Sequence, residues 1–433
     1  MMLTAFGNWL QRRGLALPTS NVDDRNIRFL YHEVFWAGIA NAVVTFNGVF
    51  AVRLGASDAL IGALTSIPPL IVALVTLPAG QWLERRARQL PLILGTIVLY
   101  RLGFLLIALM PFVVVDRRAL VFVGIVLLMT IPTPVFGVGF SSLLADIVPE
   151  RRRAAVVGWR NIILVAVTAV VTFLAGRGLD AVAFPLNYQG LYLISFVAAL
   201  AALFWLSRIE APEAPPRRKP DGSPRSSLTW SGTRALLASN PGYPRIIVDT
   251  LVYGIGPWMV APLYTIFYVR TLGASNSWIG LLTTITSLSG IAGYYLWQKG
   301  IARWGDRRVL AWTMVICALY PGLVGLSPSL TPILALGAIY GLVVPGLNLS
   351  HFNTLLKVCP VDRRPSALAL YTMIMNVGAF VSPLVAVALA DQIGVRTMLG
   401  IGSVFWMAGG LLFTFNPPDI GLAPQAPPAE PVL

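Results

Sequence analysis

The nine residues LGASDALIG, at positions 54–62, return 218 positions later as LGASNSWIG, at positions 272–280. Six of the nine letters are identical, and Asp58 of the first copy corresponds to Asn276 of the second. Gly55 suits a helix end because glycine adopts a left-handed backbone without steric cost, and Ser57 can cap the next helix. Both copies lie between long apolar runs, so the pattern predicts the same helix–turn–helix corner twice.

The composition places these corners in a membrane protein. The chain has 433 residues, of which 56% are hydrophobic and only 12% are charged, while about a quarter is charged in an ordinary soluble domain. A helix that crosses the bilayer core needs roughly 20 apolar residues, and such runs recur along the whole chain. The first 30 residues carry charges but no long apolar core, which argues against a cleavable signal peptide.

Apolar runs that alternate with charged and turn residues predict twelve membrane spans. They lie near residues 30–52, 58–80, 90–114, 119–144, 157–176, 189–207, 246–269, 276–298, 308–326, 330–354, 366–388 and 396–415. The predicted fold class is therefore all-α, with six spans on each side of a Pro- and Arg-rich linker at 208–245. Residues 1–29 form an N-terminal segment, and the proline-rich tail at 416–433 is expected to be disordered.

The basic residues predict the orientation of these spans. Of the 32 Lys and Arg residues, 25 fall on one side of the predicted helices, six fall on the other side and one, Arg101, falls inside a helix. Basic loops stay in the cytoplasm, so we expect both termini to be cytoplasmic in a multi-pass protein of the cell (inner) membrane. The net charge of +14 then reflects topology, and no nucleic-acid partner is expected.

The spacing of the repeat predicts the relation between the two halves. An offset of 218 residues covers six spans, and an even number of crossings returns the chain to the same side of the membrane. A second landmark recurs at an offset of 211 residues, since PERRR at 149–153 corresponds to PVDRR at 360–364, and the drop of seven residues predicts a shorter region of the third and fourth helices in the second half. The halves 30–207 and 246–415 are therefore predicted to be parallel, pseudo-symmetric repeats.

These features together resemble the major facilitator superfamily of secondary transporters over about residues 30–415. That family's loop between helices two and three has the pattern G-x-L-a-D-R-x-G-R-R, and residues 80–89 read GQWLERRARQ. Glu84 stands where the family has Asp, and the corresponding loop of the second half keeps Arg303 and Gly305. The resemblance implies two six-helix halves that move against each other in alternating access.

The resemblance also implies a gate at the cytoplasmic helix ends. Ion pairs there must form in one conformation and break in another. The candidate gate residues are Gly80, Glu84, Arg85, Arg88, Asp146, Arg152, Arg153, Arg303 and Arg307. The alternative is that these arginines only fix the topology.

Charged residues are scarce within the predicted spans, which makes each of them a candidate for proton coupling. Arg101 lies near the middle of the third span. His32 and Glu33 lie near the start of the first span, and Asp249 lies near the start of the seventh. The competing interpretation is that Arg101 forms a buried structural pair and that the other three reach the membrane surface.

Uncharged polar and aromatic residues are the candidates for contacts with a solute. Helices one, four, seven and ten line the cavity in the resembled family. The candidates are Asn41, Asn47, Tyr253, Trp258, Tyr264, Asn348 and Asn376. Helix–helix hydrogen bonds and packing offer an equally simple explanation for them. An aromatic-lined cavity with few fixed charges suits an amphipathic or moderately apolar solute.

We therefore predict a monomeric secondary transporter that works by rocker-switch alternating access in the lipid bilayer. Export of a small molecule is favoured, with protons as the candidate coupling ion, as in an antiporter. An importer or a lipid flippase of the same fold is an alternative, and a non-transporting receptor or scaffold is an alternative of another class. No enzyme activity, cofactor or metal is expected, because the spans hold no paired carboxylates, metal-ligand cluster or Ser–His arrangement.

Overall fold

The structure, a computed structural model, describes residues 22–84, 89–210, 234, 237–238, 240–360 and 364–415. Every regular element in these ranges is helical. Twelve segments are long and apolar enough to cross a membrane. The prediction of an all-α protein with twelve spans is confirmed for the described chain. Most of the predicted linker, the first 21 residues and the tail lie outside the described residues.

The twelve spans have the following bounds. The first span joins helix Val22–Asn41, a 3-10 turn Ala42–Phe46 and helix Asn47–Arg53. The remaining spans of the first half are Asp58–Glu84, Leu90–Val113, Arg118–Ile147, Glu150–Ala181 and Leu186–Ser207. In the second half, helix Gly242–Ile266 continues into a π-helical turn Phe267–Thr271. The last five are Asn276–Trp304, Asp306–Leu326, Leu330–Val358, Arg364–Ile393 and Val395–Phe415.

Three spans begin at least four residues earlier than predicted. The first begins at Val22 rather than near residue 30, and two aspartates in its first turn complement the positive helix end. The fifth begins at Glu150, directly after Pro149, rather than near residue 157. The seventh begins at Gly242 rather than near residue 246. Glu33 therefore lies about two turns further inside its helix than expected, and Asp249 lies about one turn further inside.

The fourth span is two helices rather than the single helix predicted. Its first part, Arg118–Thr130, ends before Pro132, and its second part is Thr133–Ile147. Proline lacks an amide hydrogen, and its ring clashes with a carbonyl of the preceding turn, so a continuous helix is disfavoured here. The break lies beside the cavity described below.

Helix packing repeats between the two halves. In the first half, the first span packs against the fifth and sixth, and the third packs against the fourth and sixth. In the second half, the seventh packs against the eleventh and twelfth, and the ninth packs against the tenth and twelfth. When six is added to the number of each span, the contacts of the first half become those of the second half. The prediction of parallel repeats is therefore confirmed.

The described helices group into two compact units. The first unit comprises Met1–Ala56, Leu74–Arg218 and Ser275–Thr284, and the second comprises Ser57–Ala73, Lys219–Ala274 and Ile285–Leu433. Each unit thus includes the start of one helix from the other half of the sequence. Apolar side chains form a separate core in each unit.

The repeated corner has the same geometry in both copies. Gly55 and Gly273 adopt left-handed backbones, with φ of 83° and 67°. Ser57 Oγ accepts a hydrogen bond from the Leu60 amide at 3.4 Å, and Ser275 Oγ accepts one from the Trp278 amide at 3.1 Å. The predicted helix end and serine cap are therefore present twice.

Candidate functional site

A cavity lies among the helices of the first unit, with a volume of about 210 Å³. It is lined by residues of the first, third, fourth and sixth spans, and the broken fourth span contributes Thr133 and Phe136. Its other lining residues are Glu33, Ala37, Ala40, Asn41, Thr96, Ile97, Tyr100, Arg101, Phe104 and Ala199. The walls are therefore mainly apolar and aromatic, with a small number of polar groups and two charges.

Glu33 is the acidic group of this cavity. Its side chain is buried, and its Oε2 accepts a hydrogen bond from Arg160 Nη2 at 2.6 Å. The Arg160 guanidinium also stacks over the Phe140 ring, with its Cζ 4.4 Å from the ring centroid. Glu33 is therefore a buried, paired carboxylate, rather than a residue at the membrane surface.

Arg101 is the basic group that lines the cavity. It is only 5% exposed, and its Nη1 is buried without a hydrogen-bond partner. Within the described part of the chain it forms no salt bridge, and Glu33 and Tyr100 interact with it electrostatically. The structural pair considered for Arg101 is thus not formed in this conformation.

Other predicted residues of the first unit differ in their surroundings. Asn41 lines the cavity. Asn47 instead accepts a hydrogen bond from the Tyr192 hydroxyl at 2.7 Å. The ring of His32 lies 4.6 Å from that of Trp205, and its Nδ1 lies 2.8 Å from the carbonyl oxygen of Arg28 in its own helix. Neither Asn47 nor His32 lines the cavity.

Asp249, in the second unit, is a second buried carboxylate. It is 5% exposed, and its Oδ2 has no hydrogen-bond partner. Arg245, one turn earlier in the same helix, is the charged group with which it interacts. The neighbouring Thr250 hydroxyl lies 2.9 Å from His351 Nε2.

The remaining predicted solute contacts also lie in the second unit. Tyr253 packs edge-on against Trp406, and Tyr264 stacks on Tyr268 at a centroid distance of 5.8 Å. Asn376 Nδ2 donates to the Thr372 carbonyl of its own helix at 2.8 Å. Trp258 is half-buried near Gly378, and Asn348 is exposed. The structure does not bring these residues to the cavity of the first unit.

The predicted gate is described only in part. Arg85, Arg88 and the side chain of Glu84 lie outside the described residues. Arg152 Nη1 bonds Asp24 at 2.8 Å, and Arg153 Nη2 donates to the Ala145 carbonyl at 2.8 Å. The other candidates are Asp146, Arg303 and Arg307, all exposed, and Gly80, which is half-buried. Asp146 has no salt bridge to any described residue.

Two contacts in the repeated corners were not anticipated from the sequence. In the second unit, Asp58 of the first copy forms an ion pair with Arg270, just before the second copy. In the first unit, Asp180 accepts hydrogen bonds from the Asn276 amide and side chain at 3.1 and 2.8 Å, and from the Ser277 amide at 2.7 Å. Asp180 thereby caps the start of the eighth span.

The second half has a polar cluster of its own. Asp306, at the start of the ninth span, bonds Lys357 Nζ at 2.5 Å and Asn353 Nδ2 at 2.8 Å. Among the described residues, no three His, Cys, Asp or Glu side chains are placed to hold a metal ion. Arg160 falls inside the predicted fifth span, and Asp180 and Asp306 lie within four residues of the ends of predicted spans. The spacing of these residues did not reveal the partner of any of them.

Comparisons with known proteins place this architecture in a family. The family model described as Major Facilitator Superfamily matches residues 34–254 and 246–431. The "Putative sugar efflux transporter" of Deinococcus radiodurans is 25% identical over 381 residues, which are 84% of this chain and 90% of that protein. "Multidrug resistance protein MdtG" of Serratia proteamaculans is 32% identical over 154 residues, 34% of this chain and 35% of that protein. A crystal structure of a D-xylose-proton symporter matches in fold with a TM-score of 0.65 and 16% identity, covering 92% of this chain and 97% of that chain.

Proposed function

The chain belongs to the Major Facilitator Superfamily, and we propose that it exports a small amphipathic solute from the cytoplasm by alternating access. Membership of this family makes it a multi-pass membrane transporter of small molecules and not an enzyme. The class of solute, the direction and the coupling are our proposals. The distribution of Lys and Arg supports a place in the cell membrane with both termini in the cytoplasm.

The cavity of the first unit carries the proposal. Ile97, Phe104 and Phe136 offer apolar surface, while Asn41 and Thr96 offer hydrogen-bonding groups in the same enclosure. Such a lining suits a solute with an apolar body and few polar groups, because each buried polar group needs a partner. The aromatic and amide candidates of the second unit stay proposed solute contacts.

Export is supported by what the relatives are named for. A sugar efflux transporter matches most of this chain, and a multidrug resistance protein matches about a third of it. The first name describes efflux of a solute, and the second describes resistance to several drugs. An importer of the same fold would move the same solute in the opposite direction, and the experiment below separates the two.

Contacts at the repeated corners support the alternating-access proposal. Two contacts join segments that come from different halves of the sequence: the ion pair between Asp58 and Arg270 and the hydrogen bond between Asp180 and Asn276. We assign these bonds to the closed state of the predicted outer side, where they must break when that side opens. The predicted cytoplasmic gate, including Glu84 and Asp146, is the proposed counterpart on the other side.

We propose protons as the coupling ion, carried by Glu33 and Asp249. Both carboxylates are buried within membrane spans, one in each unit. Glu33 faces Arg160 and Arg101, and Asp249 faces Arg245. Taking up a proton neutralises either carboxylate and weakens its attraction to the neighbouring arginine, which changes the balance between two conformations.

Flux in proteoliposomes tests the proposal. Oriented vesicles containing the full chain are loaded with a panel of neutral, anionic and cationic aromatic solutes, and a pH gradient is imposed in each direction. We expect gradient-driven movement in the sense of export. Glu33→Gln and Asp249→Asn should keep downhill exchange but lose its pH dependence, and Asp116→Asn, which changes an exposed loop carboxylate, should behave as wild type.

Three results would contradict parts of this proposal separately. Absence of flux for every solute refutes the proposed substrate class. Gradient-driven uptake into the compartment that represents the cytoplasm refutes export. Full coupling in both carboxylate variants refutes the assignment of the proton carriers.

A further inference from the structure

Arg101 is a buried cation to which the proposed transport function assigns no contact with the solute. It lies in the middle of the third span and lines the cavity, yet its Nη1 has no hydrogen-bond partner. A buried arginine without a counter-charge is costly, because the charge has lost its hydration and gained nothing in exchange. A charge at this depth in a membrane span marks a functional site by default.

The acid that lines the same cavity is paired with another arginine and does not form a salt bridge with Arg101. Glu33 already bonds Arg160 at 2.6 Å, and this pair cancels one positive and one negative charge. Asp24, a buried acid near the predicted cytoplasmic end of the unit, bonds Arg152. Among the described residues the cavity therefore keeps one uncompensated positive charge, that of Arg101.

We propose that the cavity binds a small organic anion whose single carboxylate pairs with Arg101 and whose apolar body packs against Phe104 and Phe136. This inference names the substrate class of the site proposed above, and it rests on that function. A guanidinium suits this role because its planar fork can donate two parallel hydrogen bonds to a carboxylate. Thr96, Thr133 and Asn41 lie in the same lining and can complete the hydrogen bonding of the anion.

The volume of the cavity limits the size of the organic anion that it can bind. Its volume of about 210 Å³ is somewhat larger than the roughly 150 Å³ of an apolar cavity that accommodates benzene. A single aromatic ring with one carboxylate therefore fits, and benzoate is a suitable probe. Benzamide has nearly the same shape without the charge, and benzylamine carries the opposite charge.

Binding of these three probes tests the inference. The full chain in lipid nanodiscs is titrated with each probe at neutral pH by isothermal calorimetry. We expect benzoate to bind about 10- to 100-fold more tightly than benzamide, the range expected for a hydrogen bond to a charged group, and benzylamine not to bind. Arg101→Gln should remove this preference and leave benzamide binding unchanged.

Two further variants distinguish the loss of an anion contact from a general loss of folding. Arg101→Lys keeps the charge but not the planar fork, so it should bind benzoate with intermediate affinity. Arg308→Gln removes an exposed arginine at the start of the ninth span and should bind as wild type. Each variant is compared for elution as a single species and for thermal unfolding.

The inference is overturned if benzoate does not bind to the wild-type protein, if benzamide binds equally well, or if Arg101→Gln keeps the preference for benzoate. Flux in proteoliposomes distinguishes this failure from failure of the proposed function. Movement of neutral solutes without benzoate binding would overturn the inference and keep transport. Benzoate binding without movement of any solute would keep the anion site and overturn transport.

Discussion

The bond between Asp180 and the start of the eighth span gives the sharpest test of the proposed movement. Asp180 Oδ1 accepts two hydrogen bonds from Asn276, and Oδ2 accepts one from the Ser277 amide. In Asp180→Asn the amide oxygen can replace Oδ1, but an NH2 group then faces the Ser277 amide. The variant therefore loses one charge-assisted hydrogen bond and the attraction between a carboxylate and a helix start.

The expected effect follows from these two losses. A hydrogen bond to a charged group contributes about 1.5–3 kcal/mol, and a charge at a helix start contributes about 0.3–1 kcal/mol. We take about 2 kcal/mol as the combined loss, because Asp180 is partly solvated. If the bonds exist only in the closed state of this corner, the open population should rise by about 30-fold, since 1.4 kcal/mol corresponds to a factor of ten.

Thr172 provides a reporter for that opening. It is fully buried, its hydroxyl has no hydrogen-bond partner, and its carbonyl oxygen would lie 2.8 Å from a Cβ placed on Gly280. Thr172→Cys is thus a nearly isosteric probe in a background with the two natural cysteines replaced by alanine. Alkylation by a membrane-impermeant maleimide should be slow in the parent protein and about 30-fold faster with Asp180→Asn.

Asp116→Asn is the matched control, because it removes an exposed carboxylate from a loop on the same predicted side. It should leave the alkylation rate unchanged. If Asp180→Asn and the control are alkylated at equal rates, the hydrogen bonds of Asp180 do not stabilise the closed state over the open state. The contact would then be a static helix cap.

Two further substitutions test the packing. Arg160→Gln removes the salt-bridge partner of the buried Glu33 carboxylate and should destabilise the protein by about 3–5 kcal/mol. The double variant with Glu33→Gln should recover most of this loss, and thermal unfolding of both variants measures the difference. If the effects of the two substitutions on stability simply add in the double variant, the pairing is contradicted. Gly280→Ala places a Cβ 2.8 Å from the backbone carbonyl oxygen of Thr172, whereas the Cβ of Gly62→Ala lies 3.2 Å from the side chain of Val387. Because the first contact is shorter and involves backbone, Gly280→Ala should lower the melting temperature more than Gly62→Ala. Equal shifts would mean that the two repeated corners are packed alike.

The outline of the fold was predictable from local patterns. Twelve spans are visible because each is a continuous apolar run, and the parallel repeat is visible because Gly55 and Gly273 lie in the same motif. A glycine with positive φ and a serine cap depend only on neighbouring residues, so both copies of the corner could be anticipated. Helix starts were less predictable, because charged first turns such as that after Val22 look like loop sequence.

The partners of the charged residues depended on the tertiary structure. Glu33 and Arg160 are 127 residues apart in the sequence, and the helix that carries Arg160 begins at Glu150 rather than near residue 157. Hydropathy reports depth in a membrane but not the face of a helix or the neighbour that this face meets. The sequence singled out Arg101 as a charge inside a span, but the cavity that it lines forms where four helices and a proline break come together in the tertiary structure.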